Sequence, residues 1–501
     1  MKKSVAVVLA VLFAALILIP LGCSTNAASS KGEQLLTQAQ QQVKLANYTK
    51  AEKLFRQAWP LLVQQGLNAK AVECQNGVQT AEMYLITYSL TPAQMKEALA
   101  KTYPRVAEAE RQKWIASGEL EHMKIDGATR YFVQAADNIV FRHLDVMLND
   151  PAKQAAYGPL LQSFIDNVVF VPAPPPSQPY SNPATWTGTG TVTIPRTKLP
   201  KTGVLKIWFP LPIQTGPQQP VSMGAVSGFT VKQPPSQSQD IGLAYTEVQL
   251  DKLQGDFNAT INYTFTHNEQ RFTVDQANVG TYNKSSATYT QYTRSYGNTK
   301  ITPDIKKTAL KVVGTEKNPY LQAKKLYDYV INDIKYSFMP HATMLPRGQA
   351  ESVYVHTMKR GDCGAQSLYF SALCRSLGIP ARTSGGYQLW SGNFGDHFWA
   401  EFFLPNYGWL PVDPTAAELA NYVKGLDPQK AKAFKDFFFA SQDNMRCVVQ
   451  NDVDEALVPP SAIQPFLPLA IQSPAAACDT MIDPIGELVL ESWKLTAVKQ
   501  P

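Results

Sequence analysis

The chain has 501 residues, of which 45% are hydrophobic and 17% charged, with a formal net charge of +6. This composition is typical of a folded protein of two to four domains and excludes an intrinsically disordered chain. The small and dispersed excess of positive charge gives no support for nucleic-acid binding, so we predict no nucleic-acid partner.

The chain begins with the pattern of a secretory signal peptide. Two lysines precede an apolar stretch, residues 5–19, that is too short to span a membrane comfortably. The Gly-Cys pair that ends at Cys23 resembles a bacterial lipobox, whose cysteine is lipidated. We therefore predict a signal peptide over residues 1–22, lipidation of Cys23 and a tether over residues 23–31. An ordinary signal peptide with an unmodified Cys23 is the alternative.

Residues 32–170 are predicted to form a helical domain, because apolar residues recur there at helical spacing. Its most regular segment is similar to the second helix of a tetratricopeptide repeat, with small residues where paired helices approach. One copy is present, so a plain helical hairpin is the alternative, and this domain could bind a protein partner. The repeat-like positions are Tyr48, Ala51, Phe55 and Ala58, and later helices are predicted over Pro92–Leu99, Glu108–Ser117 and Thr129–Leu148.

A Pro-rich connector, residues 171–183, separates the helical domain from a strand-rich region. Residues 184–299 contain short segments of alternating polar and apolar residues, separated by Pro, Gly and Asn turns. Several strands at such spacing favour a β-sandwich. The predicted strands are Thr189–Ile194, Val204–Phe209, Tyr245–Leu250 and Asn258–Thr266.

The third region begins near residue 300 and contains a cysteine at the start of a predicted helix. Asp362 is a suitable N-cap, which places Cys363 in the first turn of a helix that ends before Gly378. A helix N-terminus favours a thiolate, so we expect a low pKa for Cys363. The free N–H groups there could also stabilise an oxyanion on an attacked carbonyl.

A histidine and an aspartate follow on predicted neighbouring strands. His397 begins one strand, a turn at Pro405–Gly408 reverses the chain, and Asp413 ends the second strand. A four-residue turn would set Asp413 opposite Ala400 rather than His397. Contact between the two side chains therefore requires a bulge or a shift in register.

These residues lie in sequence blocks that resemble the transglutaminase-like superfamily over residues 361–415. The resemblance implies a papain-like catalytic domain, predicted over residues 300–425, in which Cys363, His397 and Asp413 form a catalytic triad for thiol acyl transfer. The whole chain is then a multidomain α+β protein that acts on a protein or peptide substrate, peptidoglycan peptides included. The matching blocks are Gly361–Cys363, Gly378–Arg382, Gly386–Tyr387, His397–Glu401 and Trp409–Thr415.

The other conspicuous residues have structural interpretations. Arg382 and Glu401 are predicted to form an ion pair, and Trp399, Trp409 and Cys374 to belong to the core. No CxxC motif or histidine pair indicates a metal site, so we predict neither metal nor cofactor.

Residues 426–501 are interpreted as an extension wrapped on the catalytic domain. Two of its cysteines, Cys447 and Cys478, could form a disulfide, a pairing that the sequence leaves open.

Two functions of different classes remain. The first is a lipid-anchored, extracytoplasmic enzyme of the bacterial cell envelope, for which hydrolysis or deamidation is favoured over crosslinking because water is the abundant acceptor. The second is a non-catalytic binding or assembly lipoprotein with a degenerate transglutaminase-like domain. The presence of cysteine, histidine and aspartate together favours the enzyme.

Overall fold

A computed structural model describes residues 30–236, 240–464 and 472–501. The predicted signal peptide, the lipidation site Cys23 and most of the tether lie outside the described residues. Within the described ranges, no helix is both long enough and apolar enough to cross a membrane.

The N-terminal part is mainly helical. Ser30 caps the first helix: its hydroxyl accepts a hydrogen bond from the Glu33 N–H, and the Glu33 carboxylate accepts one from the Ser30 N–H. Ala51, Phe55 and Ala58 are buried on one face of the second helix, where α1, α2 and α3 pack together. The elements are α1 (Lys31–Lys44), α2 (Tyr48–Gln64), α3 (Asn68–Thr87), α4 (Pro92–Thr102), α5 (Glu108–Ala116), β1 (His122–Ile125), β2 (Ala128–Tyr131), α6 (Ile139–Arg142), α7 (Leu144–Leu148) and α8 (Pro151–Phe164).

The helix predicted over Thr129–Leu148 is wrong in its first half. Asp126 and Gly127 both have positive φ, 51° and 77°, which is the backbone that a tight two-residue hairpin turn requires. They join β1 and β2 as an antiparallel pair, with Ile125 opposite Ala128. Helical structure returns in α6 and α7.

The predicted strands of the second region are confirmed, and the structure adds one more, β5. The first strand begins at Tyr180, so the predicted connector, residues 171–183, is wrong in its last four residues, which belong to the sheet. The strands are β3 (Tyr180–Ile194), β4 (Val204–Pro210), β5 (Gln218–Ser227), β6 (Leu243–Gln249) and β7 (Phe257–Arg271).

The third region combines helices with a compact sheet, in which α13 packs against β10 and β11. Its elements are α9 (Ala287–Tyr292), α10 (Pro303–Val313), α11 (Pro319–Asp333), β8 (Lys335–Tyr336), α12 (Glu351–Met358), β9 (Arg360–Gly361), α13 (Cys363–Ser376), β10 (Ala381–Gln388), β11 (Gly395–Leu404), β12 (Gly408–Val412) and α14 (Pro414–Glu418).

The C-terminal residues contribute to more than the third region. Phe434 belongs to the core of the third region, and the strand β14 (Arg446–Gln450) extends its sheet to the order β12-β11-β10-β14. The remaining strands join the two sheets of the second region. The C-terminal extension therefore completes sheets in both the second and the third region. The elements are α15 (Pro428–Phe437), β13 (Ser441–Gln442), β14 (Arg446–Gln450), β15 (Ala475–Cys478), α16 (Ile485–Ser492) and β16 (Lys494–Lys499).

Two sheets of the second region share one apolar core. The first has the order β13-β7-β3-β16, with β5 also paired to β7, and the second has the order β15-β4-β6. Trp186, Ile261 and Phe265 from the first sheet belong to the same buried cluster as Ile207 and Phe209 from the second. Alternate residues of β3 and β7 face this core, as period-two patterning predicts.

The helical region packs directly on the rest of the chain. The Asn138 side chain donates to the Phe338 carbonyl and accepts its N–H, at 3.1 and 2.7 Å. The Gln75 amide donates to the backbone carbonyls of Cys478 and Met481, at 3.0 and 2.7 Å. These bonds fix helical residues beside both the third region and the C-terminal residues.

Candidate active site

The helix that carries Cys363 begins where the sequence predicts. Asp362 is its N-cap, and its Oδ1 accepts the Ala365 N–H at 3.0 Å. Every residue from Gly364 to Arg375 is buried, so the helix is held rigidly in the core. Cys363 itself is partly exposed and lines two adjoining cavities.

The expected low pKa of Cys363 is not found. Burial raises the pKa of the thiol well above its usual value, and the charges of Asp362 and Asp413 raise it further. Hydrogen bonding from the backbone of Phe398 and Gly364 acts in the opposite direction but does not offset burial. Cys363 is therefore a neutral thiol at pH 7 in this conformation, and it needs a base before it can attack.

The structure brings His397 and Asp413 together. His397 Nε2 lies 2.8 Å from Asp413 Oδ2. Leu404 pairs with Gly408, so the turn has three residues, and Asp413 comes level with Trp399 rather than Ala400. Positions two apart on neighbouring strands share a face and are within reach of long side chains. The shift in register that we expected is thus supplied by a shorter loop, without a bulge.

A buried arginine completes this contact and was missed in the sequence. Arg446 Nη1 donates to Asp413 Oδ2 at 2.8 Å, and its Nε and Nη2 donate to Asp443 at 3.0 and 2.8 Å. Asp413 also accepts the Ala416 N–H at 3.0 Å. Burial alone would raise the pKa of Asp413, but His397 and Arg446 outweigh it and lower that pKa to about 2. The carboxylate that holds His397 is therefore ionised and fixed in place.

A second histidine, His341, is attached to the N-cap of the helix. Its Nδ1 lies 2.6 Å from Glu351 Oε1, and its Nε2 is hydrogen-bonded to Asp362 Oδ2. Burial alone would lower the pKa of His341, but the charges of Asp362 and Glu351 outweigh it and raise that pKa well above its usual value. His341 is thus an imidazolium between two carboxylates. Nothing in the sequence spacing linked it to Cys363.

Among the described residues, His341, Glu351 and Asp362 are the group whose side chains could together hold a metal ion. Their ligand atoms lie within 4.8 Å of one another. Both nitrogens of His341 are already bonded to carboxylates, and the second oxygen of Asp362 caps the helix. An ion would have to displace these bonds, so the arrangement is explained by a hydrogen-bonded cluster.

Two cavities meet at Cys363. The first cavity, of about 250 Å³, contains His397 and lies against helical-region residues that include Phe141. The second cavity, of about 320 Å³, lies against His341 and Gly364, where the N-terminus of α13 is exposed. The residues that line both are Tyr336, Phe338, Cys363 and Asp396.

Tyr336 is a further residue that sequence reasoning missed. Burial raises the pKa of its phenol well above the usual value, and a negative charge on Cys363, when the thiol ionises, would raise it further. The Tyr336 side chain therefore lies near the sulfur as well as on both cavities.

The structural interpretations of the other conspicuous residues agree with the structure except at Trp409. Arg382 Nε lies 2.6 Å from Glu401 Oε2 in a buried ion pair, and the guanidinium sits 4.2 Å from the ring centre of Trp409. Trp399 and Cys374 are buried as predicted, whereas Trp409 is only partly buried and is not a core residue.

The disulfide that the sequence left open between Cys447 and Cys478 is not formed: both are buried free thiols. Of the predicted site residues, Cys363, His397 and Asp413 are thus gathered at one place. Cys23 lies outside the described residues.

Comparison with known proteins finds a family and several relatives that match parts of this chain. The family model described as the transglutaminase-like superfamily matches residues 306–414. An uncharacterised protein of Bacillus subtilis, YebA, is 25% identical over 33% of this chain and 25% of its own length. A protein-glutamine gamma-glutamyltransferase of Pseudomonas aeruginosa is 33% identical over 12% of this chain and 11% of its own length. The chain thus spans less than half of the curated relatives it matches.

A solved structure from Cytophaga hutchinsonii, assigned as a candidate cysteine protease, is 15% identical and covers 64% of this chain and 89% of its own, with a TM-score of 0.37. The family match includes Cys363, His397 and Asp413 and ends directly after Asp413. Through residues 306–414, this chain carries a domain of the transglutaminase-like superfamily.

Proposed function

We propose that this protein is a cysteine enzyme that acts on amide bonds, with Cys363 as nucleophile, His397 as base and Asp413 as the residue that orients His397. One observation carries the proposal: Cys363 and His397 line the same cavity while Asp413 holds Nε2 of the imidazole. With Nε2 committed to Asp413, Nδ1 is the nitrogen available to exchange a proton with the thiol.

The chemistry follows from the neutral state of the thiol. His397 takes the proton as the sulfur of Cys363 attacks the carbonyl carbon, so a C–S bond forms and the carbonyl oxygen becomes an oxyanion. The first N–H groups of α13 and the Tyr336 hydroxyl are available donors to that oxyanion. The C–N bond then breaks, and the imidazolium returns its proton to the leaving amine.

The resulting thioester is released by a second nucleophile. Water activated by His397 yields a carboxylic acid and restores the thiol, which amounts to peptide hydrolysis or to deamidation according to which amide is attacked. An amine in place of water would give a crosslink. Protein or peptide substrates, peptidoglycan peptides among them, have the amide bonds that this chemistry needs.

The proposed location is the bacterial cell envelope outside the cytoplasm, with the chain anchored to a membrane by lipid on Cys23. Support comes from the signal-peptide pattern and the glycine–cysteine pair that ends it. A non-catalytic binding or assembly lipoprotein is the alternative. The presence of a cysteine at a helix start beside a His–Asp–Arg cluster favours the enzyme.

The proposal can be tested with isotopically labelled water. Protein and peptide fractions of a bacterial envelope are incubated with the enzyme in H₂¹⁸O, and the products are read by mass spectrometry. Hydrolysis puts ¹⁸O into new C-termini, deamidation puts it into glutamate formed from glutamine, and crosslinking forms isopeptides without it. We expect ¹⁸O products with wild type and none with Cys363→Ala.

Cys74→Ala is the matched control, because Cys74 is a buried free thiol in the helical region. It should behave as wild type. Equal products from wild type and Cys363→Ala, or none from either, would favour the non-catalytic alternative.

A further inference from the structure

The helical region forms part of the cleft around Cys363. Phe141 and Tyr157, from this region, line the first cavity together with aromatic residues of the catalytic region. The Phe141 ring lies 4.8 Å from that of Tyr336, 5.9 Å from that of Phe338 and 5.6 Å from that of Tyr422. Residues far apart in the sequence thus make one aromatic wall beside the sulfur.

The charged residue that lines both cavities of this cleft is acidic. Neither the first nor the second cavity is lined by lysine or arginine among the described residues, whereas Asp396 lines both. Within the same described ranges, the Asp396 side chain is exposed and takes part in neither a hydrogen bond nor an ion pair. His341, which lines the second cavity, is already held between Asp362 and Glu351.

A carboxylate without a partner beside aromatic faces matches one kind of ligand. A cation gains from the carboxylate through its charge and from the ring faces through their quadrupole, and both gains grow where water is excluded. An apolar side chain would fill the aromatic space but would gain nothing from the charge of Asp396. An anionic side chain would be repelled.

We propose that the first cavity binds a positively charged side chain of the substrate, seated between Phe141 and Asp396, next to the amide that Cys363 attacks. The substrate class is then a peptide with a lysine, an arginine or another amino-bearing residue beside the reacting amide. This inference rests on the proposed function, because it takes Cys363 to be the reacting group. The helical region acts here as part of the substrate site.

The test uses methanethiosulfonate reagents, which need no knowledge of the substrate. The Cys363 thiolate displaces methanesulfinate and forms a mixed disulfide, and the modification is read at Cys363 by peptide mass spectrometry. Trimethylammonium-ethyl, methyl and sulfonatoethyl reagents supply a cationic, a neutral and an anionic probe. The rate of each probe with Cys363 is divided by its rate with free cysteine, which removes differences in intrinsic reactivity between the probes. The cationic rate is then divided by the neutral rate within each variant, which removes any change in the nucleophilicity of Cys363.

We expect the cationic probe to outpace the neutral one in wild type, and the anionic probe to be slowest. Asp396→Asn should lower the ratio of cationic to neutral rates on the order of tenfold. Phe141→Leu, which keeps an apolar side chain but removes the ring face, should lower it about threefold. Asp251→Asn, at an exposed position outside both cavities, is the matched control and should leave the ratio unchanged.

Two failures are distinguishable. A ratio that is the same in wild type and Asp396→Asn, with Cys363 readily modified by the neutral probe, overturns the cation site and leaves the proposed function intact. A Cys363 that reacts with none of the probes removes the proposed function, and this inference with it. Thermal unfolding followed by circular dichroism verifies that each variant is folded.

Discussion

Two histidines lie on either side of Cys363, and each is bonded to carboxylate. His397 lines the first cavity and bonds Asp413 through one nitrogen. His341 lines the second cavity and bonds Asp362 and Glu351 through both of its nitrogens. They have the same side chain and similar partners, yet the geometry gives them different chemistry.

The difference lies in how many nitrogens are committed and in what balances the carboxylates. Arg446 donates to both Asp413 and Asp443, so Asp413 has a permanent cationic partner besides His397, and His397 bonds Asp413 through Nε2 alone. His341 is the cation that pairs with its two carboxylates, and both nitrogens are occupied. A histidine can transfer a proton only if one nitrogen is free, so His397 suits catalysis and His341 suits positioning.

The different roles of the two histidines are tested most directly by replacing each one and measuring the alkylation of Cys363 by iodoacetamide as a function of pH. His397→Ala should lower the rate near pH 7 by roughly 10²- to 10⁴-fold, because the neutral thiol loses its base. His341→Asn should retain most of the rate. Since burial raises the pKa of Cys363, the wild-type rate should keep increasing above pH 7.

A wild-type rate that is already constant below pH 6 would contradict the neutral thiol and restore the thiolate expected from the helix N-terminus. Equal losses in the two histidine variants would show that the two residues do not have separate roles.

The next largest effect is expected from replacing Arg446, which donates to Asp413, the partner of His397. Arg446 is fully buried, so Arg446→Met leaves Asp413 and Asp443 without their cation and should cost about 3–5 kcal/mol of unfolding free energy. Urea denaturation measures this loss. The alkylation rate of Cys363 should also decrease, because Asp413 no longer has a fixed position.

Arg382→Met is the matched control, since it breaks a buried pair with Glu401 away from the thiol. It should lose comparable stability without slowing alkylation. A normal alkylation rate in Arg446→Met would mean that the arginine serves stability alone.

A smaller and pH-dependent effect is expected at His341. Its pKa in the folded state lies above its value of about 6.5 in an unfolded chain. Its protonation therefore contributes stability that is fully present below pH 6.5 and is lost as the pH rises through the folded-state pKa. His341→Asn should cost about 1–3 kcal/mol at pH 6, and less at alkaline pH.

Urea titrations at pH 6 and at pH 9 measure this difference, with the exposed His122→Asn as control. An equal cost at both pH values would contradict an imidazolium at position 341.

Local sequence patterns predicted the parts of the site that depend on neighbours in the chain. Asp362 as N-cap, Cys363 in the first turn and the hairpin that carries His397 follow from capping and turn chemistry within a few residues. The turn of the hairpin was one residue too long in the prediction, because Pro, Asn and Gly leave several loop lengths equally acceptable.

The features that were missed depend on distant residues. Arg446 reaches Asp413 across 33 positions, and His341 reaches Asp362 across 21. The pKa of Cys363 depends on how completely the folded chain surrounds the thiol, which the helix start alone cannot indicate. In the helical region, the turn at Asp126 and Gly127 indicates the hairpin of β1 and β2, whereas the apolar periodicity that follows it favours a helix.

The pairing of β16 with β3 has a consequence for how the protein is made. Thr189 and Thr496 are hydrogen-bonded although 307 positions separate them. During synthesis, one edge of β3 and one edge of β4 stay unpaired until β16 and β15 have been made. These two strands are made after the whole of the third region. Such non-local pairing slows folding and leaves strand edges open to wrong partners in the meantime. Completion of these two sheets is thus a late event, so a chaperone that shields strand edges would help this chain most before β15 and β16 are available.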